Sequence, residues 1–313
     1  MSVKRCVLIK VEGSKKIGLG HVYRINNIIK SLKKNKIIIF TKKNNYAYNF
    51  FKNRFEVYGY SKNEFSYFKK LYTLKKPEVF LFDELNTNIK LISFLKTLNK
   101  NSIFLDNKSI EPKKKFFCID TFIERKNKYL RKNYFYGYKY LVIDPKLEKR
   151  KIRKKCMLFH FGGTDRLNIL KRIISYKIIE KDENCRIIIG PKAKLDKKTK
   201  KVISKNKNIK VFKSPKEIYK IYKDVNFAIV SGGITLFNTA SLNIKNISIS
   251  TNLMEIKNCN YLNKKGYTKY FGSEKNLSKE KFLKFYLSVK KIDSLNNKPL
   301  VFKGVKIIKK LIS

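Results

Sequence analysis

The sequence predicts an α/β protein built from two Rossmann-like domains, whose parallel sheets face each other across a cleft. Short continuous apolar runs alternate with amphipathic stretches, which is the pattern of parallel sheets covered by helices on both faces. The alternation occurs twice along 313 residues, a length typical of two domains. A charge-dense segment that begins at Pro145 separates the two copies.

These observations set the expected domain boundaries. Residues 1–145 form the N-terminal Rossmann-like domain, residues 146–154 the linker, and residues 155–313 the C-terminal Rossmann-like domain. The linker has little apolar content and carries a dense run of charge, which makes it the best domain boundary.

Apolar runs locate the strands of each domain. In the first domain, strands are predicted at Cys6–Val11, Lys36–Thr41, Val79–Asp83, Ser102–Asp106 and Phe116–Asp120. In the second, they are predicted at Cys156–Phe161, Cys185–Ile189, Ile209–Phe212, Phe227–Val230 and Ile247–Ser250. A helix follows the first strand, because Val22, Ile25 and Ile29 recur at spacings of three and four. Two further amphipathic helices are predicted at 282–289 and 305–311.

The net charge is extreme. Lys plus Arg number 74 and Asp plus Glu 23, so the formal charge is +51. We interpret this as compositional drift, because the lysines are spread along the whole chain, and we do not favour a nucleic-acid partner. The charge nevertheless attracts anionic substrates. A polyanion-binding protein without turnover, and a basic face resting on anionic lipid, stay open as alternatives.

Cysteine and histidine usage indicates a reducing compartment without a metal centre. The five cysteines are odd in number and lack CxxC spacing, and four of them adjoin apolar runs. Only two histidines are present, His21 and His160, which argues against a zinc site. The N-terminal apolar stretch is interrupted by Lys10, and no run has the length of a membrane span. We expect a cytoplasmic protein that needs no cofactor.

The first candidate site follows the first strand. Gly18 and Gly20 let the backbone pass close to a ligand, and His21 falls in the first turn of the next helix. The positive end of the helix dipole disfavours a charged imidazole there, and a neutral imidazole can act as a general base. The alternative is a histidine that only bonds to backbone at the helix start.

The second candidate site is Ser231-Gly232-Gly233-Ile-Thr235, again between a strand and a helix. Free backbone N–H groups and the helix dipole form a site for phosphate or pyrophosphate, and Thr235 can add a hydroxyl donor. The alternative is a tight turn that needs glycine for its backbone conformation alone.

A third glycine turn, Gly162-Gly163-Thr-Asp165, follows the first strand of the second domain. Asp165 either caps the next helix or faces the cleft. Three acids end strands at the same edge and could orient His21, contact a substrate hydroxyl or cap a helix: Asp83, Glu84 and Asp106. His160 lies inside a strand, and we interpret it as a packed residue.

Three motifs together resemble a known family. They are Gly18-Leu-Gly20-His21-Val-Tyr-Arg24, Phe161-Gly162-Gly163-Thr-Asp165 and Ser231-Gly232-Gly233-Ile-Thr235. The chain resembles the nucleotide-sugar hydrolases of pseudaminic acid biosynthesis, the UDP-2,4-diacetamido-2,4,6-trideoxy-β-L-altropyranose hydrolases. These are related to spore-coat polysaccharide proteins and to MurG-like glycosyltransferases of the GT-B fold.

The resemblance implies a GT-B fold with UDP on the C-terminal domain and the sugar on the N-terminal domain. His21 matches the family's proposed general base, which activates water at the anomeric carbon and releases UDP with inversion and without a metal. Ser231 to Thr235 match the pyrophosphate-binding turn. Asn238 stands where the family usually has a glutamate that holds the ribose hydroxyls. A GT-B glycosyltransferase that deprotonates an acceptor hydroxyl instead of water is the alternative.

Overall fold

The computed structural model describes residues 4–13, 19–121, 132–148, 156–163, 165, 168–179, 183–191, 193, 195–215, 217–293, 295 and 298–313. It divides the chain into two compact units. The first comprises Met1–Pro145 and Phe302–Ser313, and the second Lys146–Val301. Of the predicted linker, residues 146–148 belong to the second unit, and residues 149–154 lie outside the described part of the chain.

The first unit is a seven-stranded parallel sheet in the order β3-β2-β1-β4-β5-β6-β7. Its strands are β1 Cys6–Val11, β2 Lys36–Lys42, β3 Glu56–Tyr60, β4 Val79–Asp83, β5 Asn101–Leu105, β6 Phe116–Asp120 and β7 Tyr134–Tyr136. Its helices are α1 Gly20–Ser31, α2 Tyr46–Phe51, α3 Glu64–Lys75, α4 Ile89–Thr97 and α11 Gly304–Ile312.

The second unit is a six-stranded parallel sheet in the order β10-β9-β8-β11-β12-β13. Its strands are β8 Cys156–His160, β9 Asn184–Ile189, β10 Ile209–Lys213, β11 Phe227–Ser231, β12 Lys245–Ser250 and β13 Lys269–Ser273. Its helices are α5 Ile169–Ser175, α6 Lys197–Ser204, α7 Ile218–Tyr222, α8 Ile234–Ser241, α9 Leu253–Lys264 and α10 Lys279–Lys290.

The continuous apolar strands are explained by layers on both faces of each sheet. In β1, Val7 and Ile9 pack with residues of α1 and α11, whereas Leu8 packs on the opposite face with residues of α3 and α4. A central strand therefore carries apolar residues on both faces, which is why the sequence predicted these strands correctly.

The strands that the sequence analysis missed are edge strands or short ones. All residues of β13, and all of β3 except Tyr60, are only half-buried, and β7 has three residues. A strand with one neighbour buries less surface and therefore shows no continuous apolar run. These three strands complete the sheets without a clear sequence pattern.

Helix α11 belongs to a different unit from the one that the sequence analysis predicted. The sequence analysis placed residues 302–313 in the second domain, but this helix packs on the first unit, where Ile308 and Ile312 are buried. Gly304 allows the contact, because a Cβ there would overlap the carbonyl oxygens of Tyr140 and Leu141. The chain thus returns to its first unit at its C-terminal end.

Each sheet has one point at which the strand order reverses. In the first it lies between β1 and β4, and in the second between β8 and β11. Loops that follow the two strands at such a point turn to opposite sides of the sheet, which leaves a crevice beyond their carboxyl ends where α/β proteins bind ligands. Among the described helices, none is long and apolar enough to span a bilayer.

Candidate functional site

The first unit places His21 beside Asp83 at its switch point. His21 lies in the first turn of α1, after β1, and Asp83 is the last residue of β4. The Nδ1 atom of His21 is 2.5 Å from Oδ1 of Asp83. When Nδ1–H donates to this carboxylate, the lone pair resides on Nε2, so the contact selects the tautomer that a general base needs. The structure thus fits one of the roles that the sequence left open for Asp83.

Arg24 lies behind His21, one turn along α1. Its Nε donates to Oδ2 of Asp83 at 2.8 Å, its Nη2 donates to Oδ1 of Asp83, and its Nη1 donates to Asp106. The Arg24 side chain is only 7% exposed. Arg24 therefore supports the carboxylate that orients His21, and a direct contact between Arg24 and substrate stays a prediction.

Asp106 and Thr121 complete this cluster from the two neighbouring strands. The backbone N–H of Thr121 donates to Oδ1 of Asp106 at 2.6 Å, and its hydroxyl donates to Oδ2 at 2.7 Å. Both residues follow a strand end, and both are buried. Thr121 was missed by the sequence analysis, because a single threonine after a strand has no distinguishing pattern.

The charge state of Asp83 follows from this network. Burial opposes its ionisation, but the adjacent Arg24 guanidinium and the His21 contact outweigh burial and lower the pKa of Asp83 to about 2. Asp83 is consequently a fully buried carboxylate that stays charged at neutral pH. A charged partner of this kind stabilises the imidazolium that forms when His21 accepts a proton.

The space around the start of α1 is open. A Cβ built on Gly20 meets no atom within 4 Å, and Gly20 is exposed. The His21 side chain is 14% exposed, so the ring is not fully buried. Gly18, the other glycine predicted for this loop, lies outside the described residues.

A second charged cluster lies on the opposite face of the same strand ends. Lys10 of β1 is 2% exposed and forms ion pairs with Glu64 and with Glu84, the latter at 2.5 Å. Burial raises the pKa of Glu84 to about 7 although Lys10 lies beside it. The lysine inside the apolar run Val7-Leu8-Ile9-Lys10 was the available sequence indication, since a buried ammonium needs a carboxylate partner.

The second unit brings its glycine turns to the carboxyl edge at β8 and β11. A Cβ on Gly162, which has a φ of +74°, would lie 3.7 Å from the Ser231 hydroxyl, so the turns after the two strands are neighbours. Gly190, after β9, packs directly on the backbone of Gly162 and Gly163. The structure thus brings two of the predicted binding turns together at the second switch point.

Only one of these two turns leads into an uncapped helix. Asp165 accepts hydrogen bonds from the N–H groups of Ile169 at 3.0 Å and Leu170 at 3.2 Å, so its carboxylate occupies the start of α5. This is the capping role that the sequence analysis considered for Asp165. Burial raises the pKa of Asp165.

Helix α8, in contrast, follows the N-cap residue Gly233, and none of the described side chains caps it. In its first turn, the Leu236 N–H donates to the Gly233 carbonyl at 3.0 Å, whereas helix geometry gives the N–H groups of Ile234 and Thr235 no acceptor within the helix. Ser231 and Thr235 are buried, whereas Gly233 is half-exposed. An anion at this turn would therefore be bound mainly by backbone N–H groups and the helix dipole.

The backbone of this turn is held by α9. A Cβ on Gly232 would lie 2.6 Å from Sγ of Cys259 and 2.8 Å from Cβ of Glu255, so only glycine fits. The Asn258 amide donates to the Gly232 carbonyl at 2.9 Å. Glu255 thus lies directly against the glycine turn.

Asn238 has an interior position. It is 6% exposed, and its side chain interacts with the Tyr222 side chain. The Tyr222 hydroxyl lies 2.9 Å from Nδ1 of His160. Burial lowers the pKa of His160 to about 4, so this ring is neutral and packed, as the sequence analysis predicted for it. A contact between Asn238 and ribose stays a prediction.

Comparison with known proteins gives two sequence relatives, while no family model matches the chain. An uncharacterized protein of Methanocaldococcus jannaschii is 29% identical over 275 residues, which are 80% of this chain and 56% of that protein. The chain thus spans little more than half of this relative. The spore coat polysaccharide biosynthesis protein SpsG of Bacillus subtilis is 22% identical over 264 residues, 77% of this chain and 76% of SpsG.

Solved structures decide the fold. MurG of Acinetobacter baumannii superposes with a TM-score of 0.66 at 10% identity, with 99% of each chain covered. The chain has the GT-B fold. The spinosyn rhamnosyltransferase SpnG, solved with thymidine diphosphate, also has this fold and matches with a TM-score of 0.59 at 10% identity over 98% of this chain and 95% of SpnG. The fold class that the sequence predicted is thereby confirmed.

Proposed function

We propose that this GT-B protein is a nucleotide-sugar hydrolase that releases UDP from a UDP-deoxyamino sugar in the synthesis of a pseudaminic acid-like surface glycan. The observation that carries the proposal is the contact between His21 and Asp83 at the first switch point. A histidine that is held by a buried carboxylate, with a ring that is not fully buried, is the arrangement of a general base. The similarity to SpsG supports a role in polysaccharide synthesis.

The second unit supplies the nucleotide side of the proposed reaction. The uncapped start of α8 offers N–H groups and a positive dipole end to the diphosphate. The start of α5 is already occupied by Asp165, so the turn after β11 is the stronger anion site of the two. The thymidine diphosphate in the SpnG structure supports a nucleoside diphosphate as the ligand class.

The proposed step is a single displacement. Nε2 of His21 removes a proton from water while the water oxygen forms a bond to the anomeric carbon. The bond between that carbon and the β-phosphate oxygen breaks, its electron pair leaves with UDP, and the configuration inverts. Asp83 stabilises the imidazolium through Nδ1, and the α8 N–H groups stabilise the charge that develops on the leaving phosphate.

A glycosyltransferase is the second candidate. The similarity to MurG and to the spinosyn rhamnosyltransferase favours it, because both share the fold over nearly the whole chain. In this case Nε2 of His21 would deprotonate a hydroxyl of an acceptor sugar or lipid instead of water. Both candidates use the same nucleotide site and the same base, and they differ only in the nucleophile.

The deciding experiment follows nucleotide release from a panel of UDP-, TDP- and CMP-sugars, with and without candidate acceptors. Release from a UDP-sugar without acceptor, with inversion seen by NMR of the released sugar, supports the hydrolase. Release that requires an acceptor supports the transferase. If His21→Ala keeps full turnover, or if UDP does not bind in calorimetry, the assignment of the base or of the nucleotide site is wrong.

A further inference from the structure

The exposed side of α6 and the edge strand β10 carry the lysine face, which we define by eight residues. They are Lys197, Lys198, Lys200, Lys201, Lys205, Lys207, Lys210 and Lys213. Residues 197–213 thus contain eight lysines among seventeen residues and no Asp or Glu. This share is about twice that of Lys plus Arg in the whole chain, 74 of 313.

All eight side chains of the lysine face are exposed. Helix α6 turns Thr199 and Ile203 inward, and its lysines point away from the sheet. The acid that directly precedes the segment in the sequence, Asp196, accepts from the N–H of Thr199 at 2.7 Å and pairs with Lys171 at 2.6 Å. Between described residues, no ion pair includes a lysine of this face. Its charge is therefore not neutralised locally.

Aliphatic side chains are interspersed among these lysines. Val202 is 44% exposed and Val211 is 36% exposed. The segment contains no arginine, and its one aromatic residue, Phe212, is half-buried. Proteins that bind single-stranded nucleic acids rely on exposed aromatic rings and arginine for stacking and bidentate contacts. Surfaces that bind anionic lipid headgroups instead combine lysines with exposed aliphatic side chains.

We propose that the lysine face docks the second unit on an anionic lipid bilayer. The ammonium groups of the α6 lysines contact lipid phosphates, and Val202, on the same helix, reaches the boundary between headgroups and acyl chains. Lysines on an edge strand also discourage pairing with another strand. That role accounts for Lys210 and Lys213 on β10, but not for the four lysines of α6, which is a helix.

Compositional drift alone does not account for this surface. Drift raises lysine throughout the chain, and α10 shows its effect, with exposed Lys279, Lys281 and Lys284 beside the exposed acid Glu280. The lysine face differs in lysine density: residues 197–213 hold eight lysines in seventeen residues, whereas residues 13–55, which also lack acids, hold nine in forty-three. Helix α10 lies in the same unit, so its lysines provide a matched control for the total charge.

The test compares two variants of the full chain in vesicle co-sedimentation. One carries K197Q, K198Q, K201Q and K205Q, and the control carries K279Q, K281Q, K284Q and K291Q, which remove the same charge. Vesicles contain phosphatidylcholine alone or mixed with phosphatidylglycerol, at physiological salt. Circular dichroism and thermal unfolding verify that both variants fold. Binding of a homopolymeric RNA is measured in parallel.

We expect the wild type to bind the phosphatidylglycerol vesicles and the α6 variant to lose roughly a hundredfold in partitioning. The α10 variant should stay within about threefold of the wild type, because lysines that do not face the bilayer contribute little beyond the Debye length. Equal losses in both variants would mean that diffuse charge binds the vesicles, and the proposal would be wrong. It would also be overturned if the wild type bound RNA but not the anionic vesicles.

Discussion

His21 and Asp83 are 62 residues apart in the chain, yet Nδ1 of the imidazole lies 2.5 Å from Oδ1 of the carboxylate. The contact forms because β1 and β4 are adjacent in the sheet, and both residues follow or end these strands at the same edge. Arg24, from the same helix as His21, binds both oxygens of Asp83 and holds the carboxylate in place. The pair is therefore positioned by the sheet order and by a buried ion pair.

The first prediction concerns this pair. Asp83→Asn should lower kcat for nucleotide release by about a thousandfold, because an amide no longer selects the Nδ1–H tautomer or stabilises the imidazolium. The affinity for free UDP, measured by calorimetry, should stay nearly unchanged, since the proposed nucleotide site lies in the second unit. His21→Gln provides the comparison. An unchanged kcat in Asp83→Asn would show that the carboxylate does not act through His21.

Arg24 should matter for stability as well as for positioning. Arg24→Met leaves the buried carboxylates of Asp83 and Asp106 without their cation, and we expect a loss of about 3–5 kcal/mol in the free energy of unfolding in urea. The control is Arg54→Met, since the exposed guanidinium of Arg54 stacks on Phe50 at 4.7 Å and donates to neutral acceptors, the Asn26 side chain and the Phe50 carbonyl. That change should cost at most about 1 kcal/mol. Equal effects would contradict the buried network.

The glycine turn before α8 offers a comparison of two neighbouring residues. Gly232→Ala places a methyl group 2.6 Å from Sγ of Cys259, and it should shift the turn, cost about 1–3 kcal/mol of stability and weaken UDP binding. Gly233→Ala meets only Glu255 at 3.6 Å, an ordinary contact, and should fold normally. Thermal unfolding and UDP calorimetry of both variants check this. Equal UDP affinity in all three proteins would place the anion elsewhere.

His160 should make the protein sensitive to acid. Its pKa of about 4 in the fold lies below the ordinary value of 6.5, so the unfolded chain takes up a proton on His160 at a higher pH than the folded protein does. The free energy of unfolding is therefore unaffected by His160 above pH 6.5 and falls as the pH drops towards 4. The full loss is about 3 kcal/mol. In urea unfolding at several pH values, His160→Gln should flatten this slope. The control is the other histidine, because His21→Gln should leave the pH dependence of the unfolding free energy unchanged. An unchanged pH dependence in His160→Gln would contradict the burial of the His160 ring.

Asn238 distinguishes an interior role from a ribose contact. Asn238→Glu places a carboxylate at a site 6% exposed beside Tyr222 and should destabilise the protein by about 2 kcal/mol or more. The family resemblance predicts tighter UDP binding for the same variant. Unfolding in urea and UDP calorimetry separate the two, and a stable variant with improved affinity would assign the side chain to the nucleotide pocket.

Much of the fold could be predicted because parallel strands and their helices leave local patterns. The central strands β1, β4, β8 and β11 were located by their apolar runs, since both of their faces are buried. The edge strands β3 and β13 were not, because their residues are half-buried. The attachment of α11 to the first unit was also missed, because an amphipathic helix does not encode which unit it covers.

The candidate site likewise has features that the sequence predicted and features that only the structure showed. The glycine turns and His21 are local motifs, so the sequence alone located them and predicted the edge of the sheet at which they lie. The partner of His21 among three candidate acids, the capping of α5 by Asp165 and the interior contact of Asn238 with Tyr222 were decided only by the tertiary structure. These are contacts between side chains whose direction depends on strand order, helix packing and burial, and none of these is a local property of the chain.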